Sequence, residues 1–373
     1  MRPARPLIAG TAALVSGLAA SAEPPVYEAN AFLLFDLEAR LSAGVDLADA
    51  DGDGDLDVFL ANGRHWAQPD LVYFNIGNGR LATARPLGTE YGPSYIVRAG
   101  DVDGDGDVDA VVVRDSVPAQ VFLNDGEATF TLAGDIPESD GPARNALLRD
   151  LTGNGTPDLV TVQRRGGVRL FEGNGDGSFA APLVMPGELT GSTGVAAADF
   201  NRDGRTDLVI ACRDGGQSVI LFNMGEDDWV DAPISGSAGD HRQAVAGDFN
   251  RDGHADIVLG STSGVSTLLL GDGGGNFMPG VSVGEAGRTV LSLAAADLDG
   301  DGDLDLVEGA DEQSNRIYIN DGRARFSAIT LPDTRDNTYS IALGDMNGDG
   351  LTDLVFANSS AANVVMLAQP AGE

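Results

Sequence analysis

Short apolar runs alternate with polar, glycine-rich turns along nearly the whole chain, and the turns come too often for long helices. One unit recurs within this pattern. An apolar run such as 195–198 or 290–295 leads into a strongly acidic loop, and a second run, such as 208–211 or 306–307, follows it. A third run ends in a glycine turn, as at Asn124-Asp125-Gly126, Gly173-Asn174-Gly175 and Asn320-Asp321-Gly322. An aromatic residue then opens a fourth: Phe130, Phe179, Trp229, Phe277 or Phe326. Four short strands with a turn every ten residues or so predict one propeller blade.

The acidic loop sets the phase of the repeat. It reads DADGDGDLD from Asp49, DVDGDGDVD from Asp101, DLTGNGTPD from Asp150, DFNRDGRTD from Asp199, DFNRDGHAD from Asp248, DLDGDGDLD from Asp297 and DMNGDGLTD from Asp345. Seven copies at a period of roughly 49 residues predict an all-β, seven-bladed β-propeller of four-stranded blades over residues 23–373. The last copy stops after its third run, Asn363 to Leu367. The segment from Phe32 to Leu37, ahead of the first copy, supplies the aromatic-led strand that the last copy lacks. The N-terminal strand is therefore expected to complete the seventh blade, close the ring and cover an open sheet edge.

Loop positions one, three, five and nine carry oxygen in every copy, and position six is always glycine, from Gly54 to Gly350. Hard oxygens at alternate positions, wrapped by a left-handed glycine turn, suit a calcium ion. The candidate ligands are Asp49, Asp51, Asp53 and Asp57; Asp101, Asp103, Asp105 and Asp109; Asp199, Asn201, Asp203 and Asp207; Asp248, Asn250, Asp252 and Asp256; Asp297, Asp299, Asp301 and Asp305; and Asp345, Asn347, Asp349 and Asp353. Position seven is Asp55, Asp107, Thr156, Arg205, His254, Asp303 or Leu351. A ligand position that accepts arginine and leucine must use its backbone carbonyl. The third loop offers only two charges, from Asp150 and Asp158, beside Thr152 and Asn154. About six Ca²⁺ sites and a weak seventh are expected. An EF-hand is excluded, because its glutamate position is Leu60, Val112, Thr161, Ile210, Leu259, Glu308 or Phe356, acidic only once.

These loops resemble the FG-GAP/VCBS repeats, whose best-known members are the propellers of integrin α-subunits. The resemblance runs from Asp49 to Asp353 and implies a calcium-bearing propeller. It leaves the function open, since similar architectures include adhesion receptors, lectins and some polysaccharide lyases.

Charge narrows the choice. The formal net charge is −34, and all 23 basic residues are arginine. Without lysine, a Schiff base or a phosphate-loop lysine is impossible, and the acidity argues against nucleic acid. Arg2, Arg5, the apolar stretch from Leu7 to Leu18 and the small residues Ala20-Ser21-Ala22 predict a signal peptide over 1–22 and a secreted or periplasmic product. No segment is long and apolar enough for membrane insertion. Cys212 is the sole cysteine, so no internal disulfide is available, and burial suits it better than reactivity. A monomer is expected.

The seven loops hold 26 of the 57 acidic residues, so the metal face should be acidic and the opposite face arginine-rich. The candidate ligand-binding residues on that opposite face are Arg40, His65, Trp66, Tyr91, Arg144, His241, Arg242, Arg288 and Tyr339. His65 and Trp66 lie in an insertion that lengthens the first repeat. Arg144, Arg242 and Arg288 are expected to rim the central channel as one pocket for an anion, with Tyr91 and Tyr339 as stacking surfaces. The leading expectation is a non-catalytic extracellular binding or adhesion module for glycan or protein. A polysaccharide lyase acting on uronic acids, with Tyr91, Tyr339 or His241 moving protons, is the enzyme alternative, although the sequence shows no compact catalytic constellation. A structural subunit of a surface assembly is a third.

Overall fold

The computed structural model describes residues 23–187 and 189–371, and the expected signal peptide, 1–22, lies outside them. Seven four-stranded antiparallel sheets form the molecule. Their first strands are Ser42–Ala48, Ser94–Gly100, Ala143–Arg149, Ser192–Ala198, His241–Gly247, Val290–Ala296 and Asn337–Gly344. Each first strand lies against the next, and the seventh lies against the first, which closes a ring around a central channel.

Strand alternation explains the core. The second strand of every blade is buried along its whole length. Successive side chains point to opposite faces of the sheet, so each strand serves two interfaces. In blade one, Val58 and Leu60 join the apolar cluster shared with blade seven, while Phe59 and Ala61 join the cluster shared with blade two. Every pair of neighbouring blades encloses such a cluster.

The N-terminal segment closes the ring as expected. Leu34–Phe35 is the outer strand of blade seven, with Leu34 opposite Val364 and Phe35 opposite Asn363. The strand is shorter than the expected Phe32 to Leu37, because Ala31–Leu33 turns as a 3₁₀ helix. Phe35, not Phe32, is the buried aromatic; it meets the Tyr73 ring edge-on at 5.2 Å, and Phe32 faces solvent. A second tie, Val26–Tyr27 against Ala368–Gln369, lies outside the blade.

Blade three also departs from expectation. Its outer strand is Leu183–Val184, and Phe179 makes only an isolated bridge to Gly173. Pro182, between them, has no N–H to give to the ladder.

Candidate functional site

Two opposite faces carry chemistry. Each first strand runs from the channel mouth to an acidic loop. Seven residues at ~3.3 Å each therefore separate the two faces by about 20 Å.

The seven acidic loops share one hydrogen-bond scheme. The first aspartate accepts the N–H of the position-six glycine in every copy, from Asp49 with Gly54 at 3.0 Å to Asp345 with Gly350 at 2.8 Å. These glycines sit at φ between 81° and 96°, where a side chain would be strained. The position-nine aspartates, from Asp57 to Asp353, are fully buried. Each accepts the N–H of position two on one oxygen and an N–H at the end of strand three on the other; Asp109, for example, holds Val102 and Asn124, both at 2.9 Å. Position nine thus staples the loop to the sheet, and in the third loop Asp158 also accepts the Thr152 N–H at 3.0 Å. Burial, then the neighbouring aspartates, push Asp57, Asp109, Asp207, Asp256, Asp305 and Asp353 up to about 6, against the pull of those backbone bonds.

Several of these clusters can hold a metal ion. One oxygen from each of Asp49, Asp51 and Asp53 lies within 4.8 Å of the others, and the same holds for Asp101, Asp103 and Asp109 and for Asp297, Asp299 and Asp305. In loop six, the buried Asp303 carboxylate makes no hydrogen bond, but its Oδ2 lies 3.4 Å from the Arg251 guanidinium; burial and Asp301 push that group up to about 7 against the pull of that arginine. Crowded carboxylates of this kind fit a bound cation. At position seven, the Leu351 side chain joins the cluster between blades six and seven, which leaves only its carbonyl for the loop. The Arg205 side chain folds back onto Asp203 and Asn223.

The opposite face is organised by seven β-bulges. The pairing between first and second strands slips by one residue at the same place in every blade. The extra residues are Ala43, Tyr95, Arg144, Thr193, Arg242, Leu291 and Tyr339, and all seven line one cup of about 200 Å³ at the channel mouth. A bulge re-aims the side chain it carries, and here it aims one per blade at the axis. Arg64, His65, Arg98, Arg164 and Arg213 complete the wall.

The arginines fall into two groups. Arg144 bonds Asp115 at 3.1 Å, Arg164 bonds Asp214 at 2.9 Å and Arg213 bonds Asp240 at 3.0 Å. Arg64, Arg98 and Arg242 make no carboxylate contact among the described residues. Arg242 donates to the Leu291 carbonyl at 2.9 Å, and burial holds its guanidinium below its ordinary pKa. Both Arg64 and Arg242 lie over the Tyr339 ring, at 4.0 and 4.6 Å from its centre, and Arg144 lies over Tyr95 at 4.5 Å. Beneath them, Asn145 donates to Gln243 Oε1 at 2.8 Å, a bond from blade three to blade five that floors the cup.

One wall carries a hydrogen-bonded chain. His65 Nδ1 lies 2.6 Å from Asp115 Oδ2, and His65 Nε2 lies 2.9 Å from Tyr95 Oη. Burial alone would raise the Asp115 pKa, but the bonds from His65 and Arg144 outweigh it and hold the carboxyl below its usual range.

The expected ligand residues divide accordingly. His65, Arg144, Arg242 and Tyr339 line the cup. Trp66 and Tyr91 do not line the cup; both are exposed, 70% and 61% accessible, on segments joined by the bond from Gln68 N–H to the Gly92 carbonyl. Arg288 does not line the cup. It is buried on Glu308 and the Ser314 carbonyl, and Leu291, three residues on, holds the bulge position of its blade. Arg40 is bound to Asp36 and Glu38, outside the cup. His241 is buried, and burial lowers its pKa. The sequence alone does not single out Tyr95, Arg98 or Asp115. Phasing the repeats would have found Tyr95, since each bulge residue stands six positions before a loop aspartate, as Tyr95 before Asp101 and Arg242 before Asp248.

The FG-GAP-like repeat model matches residues 49–112, 101–161, 150–210, 199–259, 248–308 and 309–356. No curated protein matches the sequence. Among solved structures, the BP39L lectin from Burkholderia pseudomallei is similar at 16% identity, covering 90% of this chain and 98% of the lectin, with a TM-score of 0.70. BBS1N, solved in complex with ARL6DN, is similar at 13% identity, covering 94% of this chain and 99% of its own, with a TM-score of 0.62. At these identities the likeness concerns the fold.

Proposed function

Because this chain belongs to the FG-GAP-like repeat family, we propose that it is an exported, calcium-stabilised propeller that captures acidic glycans in its arginine cup. One observation carries the reading: Arg242 and Arg64 converge on Tyr339 at the channel mouth and make no carboxylate contact among the described residues. A guanidinium fork fits the planar carboxylate of a sugar acid or a sulfate ester. The exposed Trp66, beside the cup residue His65 in sequence, and the exposed Tyr91 offer faces for the neighbouring sugars. Calcium in the acidic loops would rigidify the far face, with Asp49, Asp101, Asp297 and their equivalents as ligands; no described residue of the mature chain offers a disulfide in its place.

A glycan array in calcium buffer tests this reading. Uronate-, sialate- or sulfate-bearing glycans should bind, and more weakly as salt rises. Exclusive binding of neutral, salt-insensitive glycans would overturn it.

A further inference from the structure

The chain from Tyr95 through His65 to Asp115 is the one linked set of proton-transfer groups in the cup. Its direction follows from chemistry. Asp115 is ionised and can only accept, so His65 Nδ1 donates to it at 2.6 Å. In neutral histidine the other nitrogen must then accept, so Tyr95 Oη donates to Nε2 at 2.9 Å. A phenol in this position can pass its proton to an imidazole that a carboxylate stands ready to balance. Arg144, over the Tyr95 ring at 4.5 Å and bonded to Asp115, favours negative charge on the phenol oxygen. Across the cup, Arg64 and Arg242 supply the uncompensated positive charge.

We propose that the cup is an active site for β-elimination on uronic-acid polymers, with Tyr95 as the catalytic base. This inference rests on the acidic-glycan reading of the same cup. Arg64 and Arg242 would neutralise the uronate carboxylate, which makes the proton on the adjacent α-carbon acidic and stabilises the enediolate that forms. Tyr95 Oη takes that proton and passes its own to His65 Nε2, giving an imidazolium paired with Asp115. The freed electron pair forms a double bond between the α- and β-carbons, and the bond from the β-carbon to the glycosidic oxygen breaks. That oxygen leaves with a proton from Tyr95, and His65 returns its proton to Tyr95. The net transfer is one proton from carbon to the leaving oxygen, with no co-reactant.

Two features favour elimination over other reactions of a bound glycan. Hydrolysis of a glycosidic bond commonly uses a pair of carboxyl groups free to act on it, whereas Asp115, Asp214 and Asp240 are each tied to an arginine. Acyl transfer would need a nucleophile beside the imidazole, and both His65 nitrogens are taken by Tyr95 and Asp115.

The test incubates the calcium-loaded protein with polygalacturonate, alginate and a glucuronate polymer, and follows the ultraviolet absorbance of the conjugated unsaturated acid. The expected result is product from at least one polymer that binds. Tyr95→Phe should keep the ring packing and the binding and cut turnover at least ~100-fold. His65→Asn should lower kcat with KM nearly unchanged. If a polymer binds in an Arg242-dependent way and yields no unsaturated product, elimination is overturned while the binding reading stands. If no acidic polymer binds, both fall. Full activity in Tyr95→Phe would overturn the assignment of the base.

Discussion

The Asn145 amide reaches across the channel to Gln243 Oε1 at 2.8 Å, so blades three and five are joined directly although blade four lies between them. Each residue follows a bulge arginine, Arg144 or Arg242, and the bond fixes both strands beneath the cup. Replacing either partner with alanine should cost about 1 kcal/mol in denaturant unfolding. The double variant should cost less than the sum of the two, by about 0.5 kcal/mol or more. Strict additivity would mean that the two amides do not share a bond in solution.

The position-nine aspartates predict a split between structural and metal effects. Asp109→Ala leaves the buried N–H groups of Val102 and Asn124 without partners. It should cost about 3 kcal/mol in chelator, from the two lost bonds, and more in calcium, where a carboxylate of the metal cluster is lost as well. Asp103, half-buried in the same loop, bonds only the Asp105 N–H nearby, at 3.2 Å. Asp103→Ala should lower the melting temperature in calcium and change little in chelator. Melting curves of both variants with and without calcium check the split, and equal behaviour would contradict it.

Asp70 gives a pH signature away from the metal loops. Burial pushes it up to about 7, although bonds from Asn62 N–H and Ser94 Oγ pull the other way. An unfolded aspartate titrates near ~3.9, so between these values the folded state holds more protons than the unfolded one. Stability from this group therefore falls as pH rises from about 4 to about 7. The stability of Asp70→Asn relative to the parent should climb across that window by a few kcal/mol at most, measured by urea unfolding at stepped pH. Parallel curves would show that Asp70 is ionised throughout.

Removing 26–37 takes away both N-terminal ties, the pairing of Leu34 with Val364 and of Val26 with Gln369. The seventh blade is left with three strands and an open edge. Sedimentation should show aggregation of the truncated chain at concentrations where the parent is monodisperse. An unchanged, monodisperse product would place the ring closure elsewhere.

Much of the fold was legible because the repeat is written in side chains that do one job each. The loop glycines and aspartates set the phase, and the missing fourth strand after Asn363 pointed back to the N-terminus. The outer strands were less clear, because Phe32 and Phe35 are equally aromatic in sequence and only packing on Tyr73 separates them. The cup was half legible. Arg144 and Arg242 were found as arginines on the expected face. Arg288 looks like them in sequence, which shows a charge but not its partner, and Glu308 lies twenty residues away on the second strand of the same blade. Tyr95 was hidden because the bulge that turns it toward the axis is a matter of register between two strands, and Asp115 because its contact with His65 crosses from one blade to the next.

Calorimetric titration of an acidic oligosaccharide into the calcium-loaded parent and into Arg242→Ala tests the central claim most directly. Arg242 has no carboxylate to lose, so the variant should melt within a few degrees of the parent. The parent should bind with an affinity that weakens as salt rises, and Arg242→Ala should bind at least ~10-fold more weakly, the expectation for one lost charge-assisted bond. Equal affinity in parent and variant, at every salt concentration, would show that the arginine cup is not where this propeller holds its ligand.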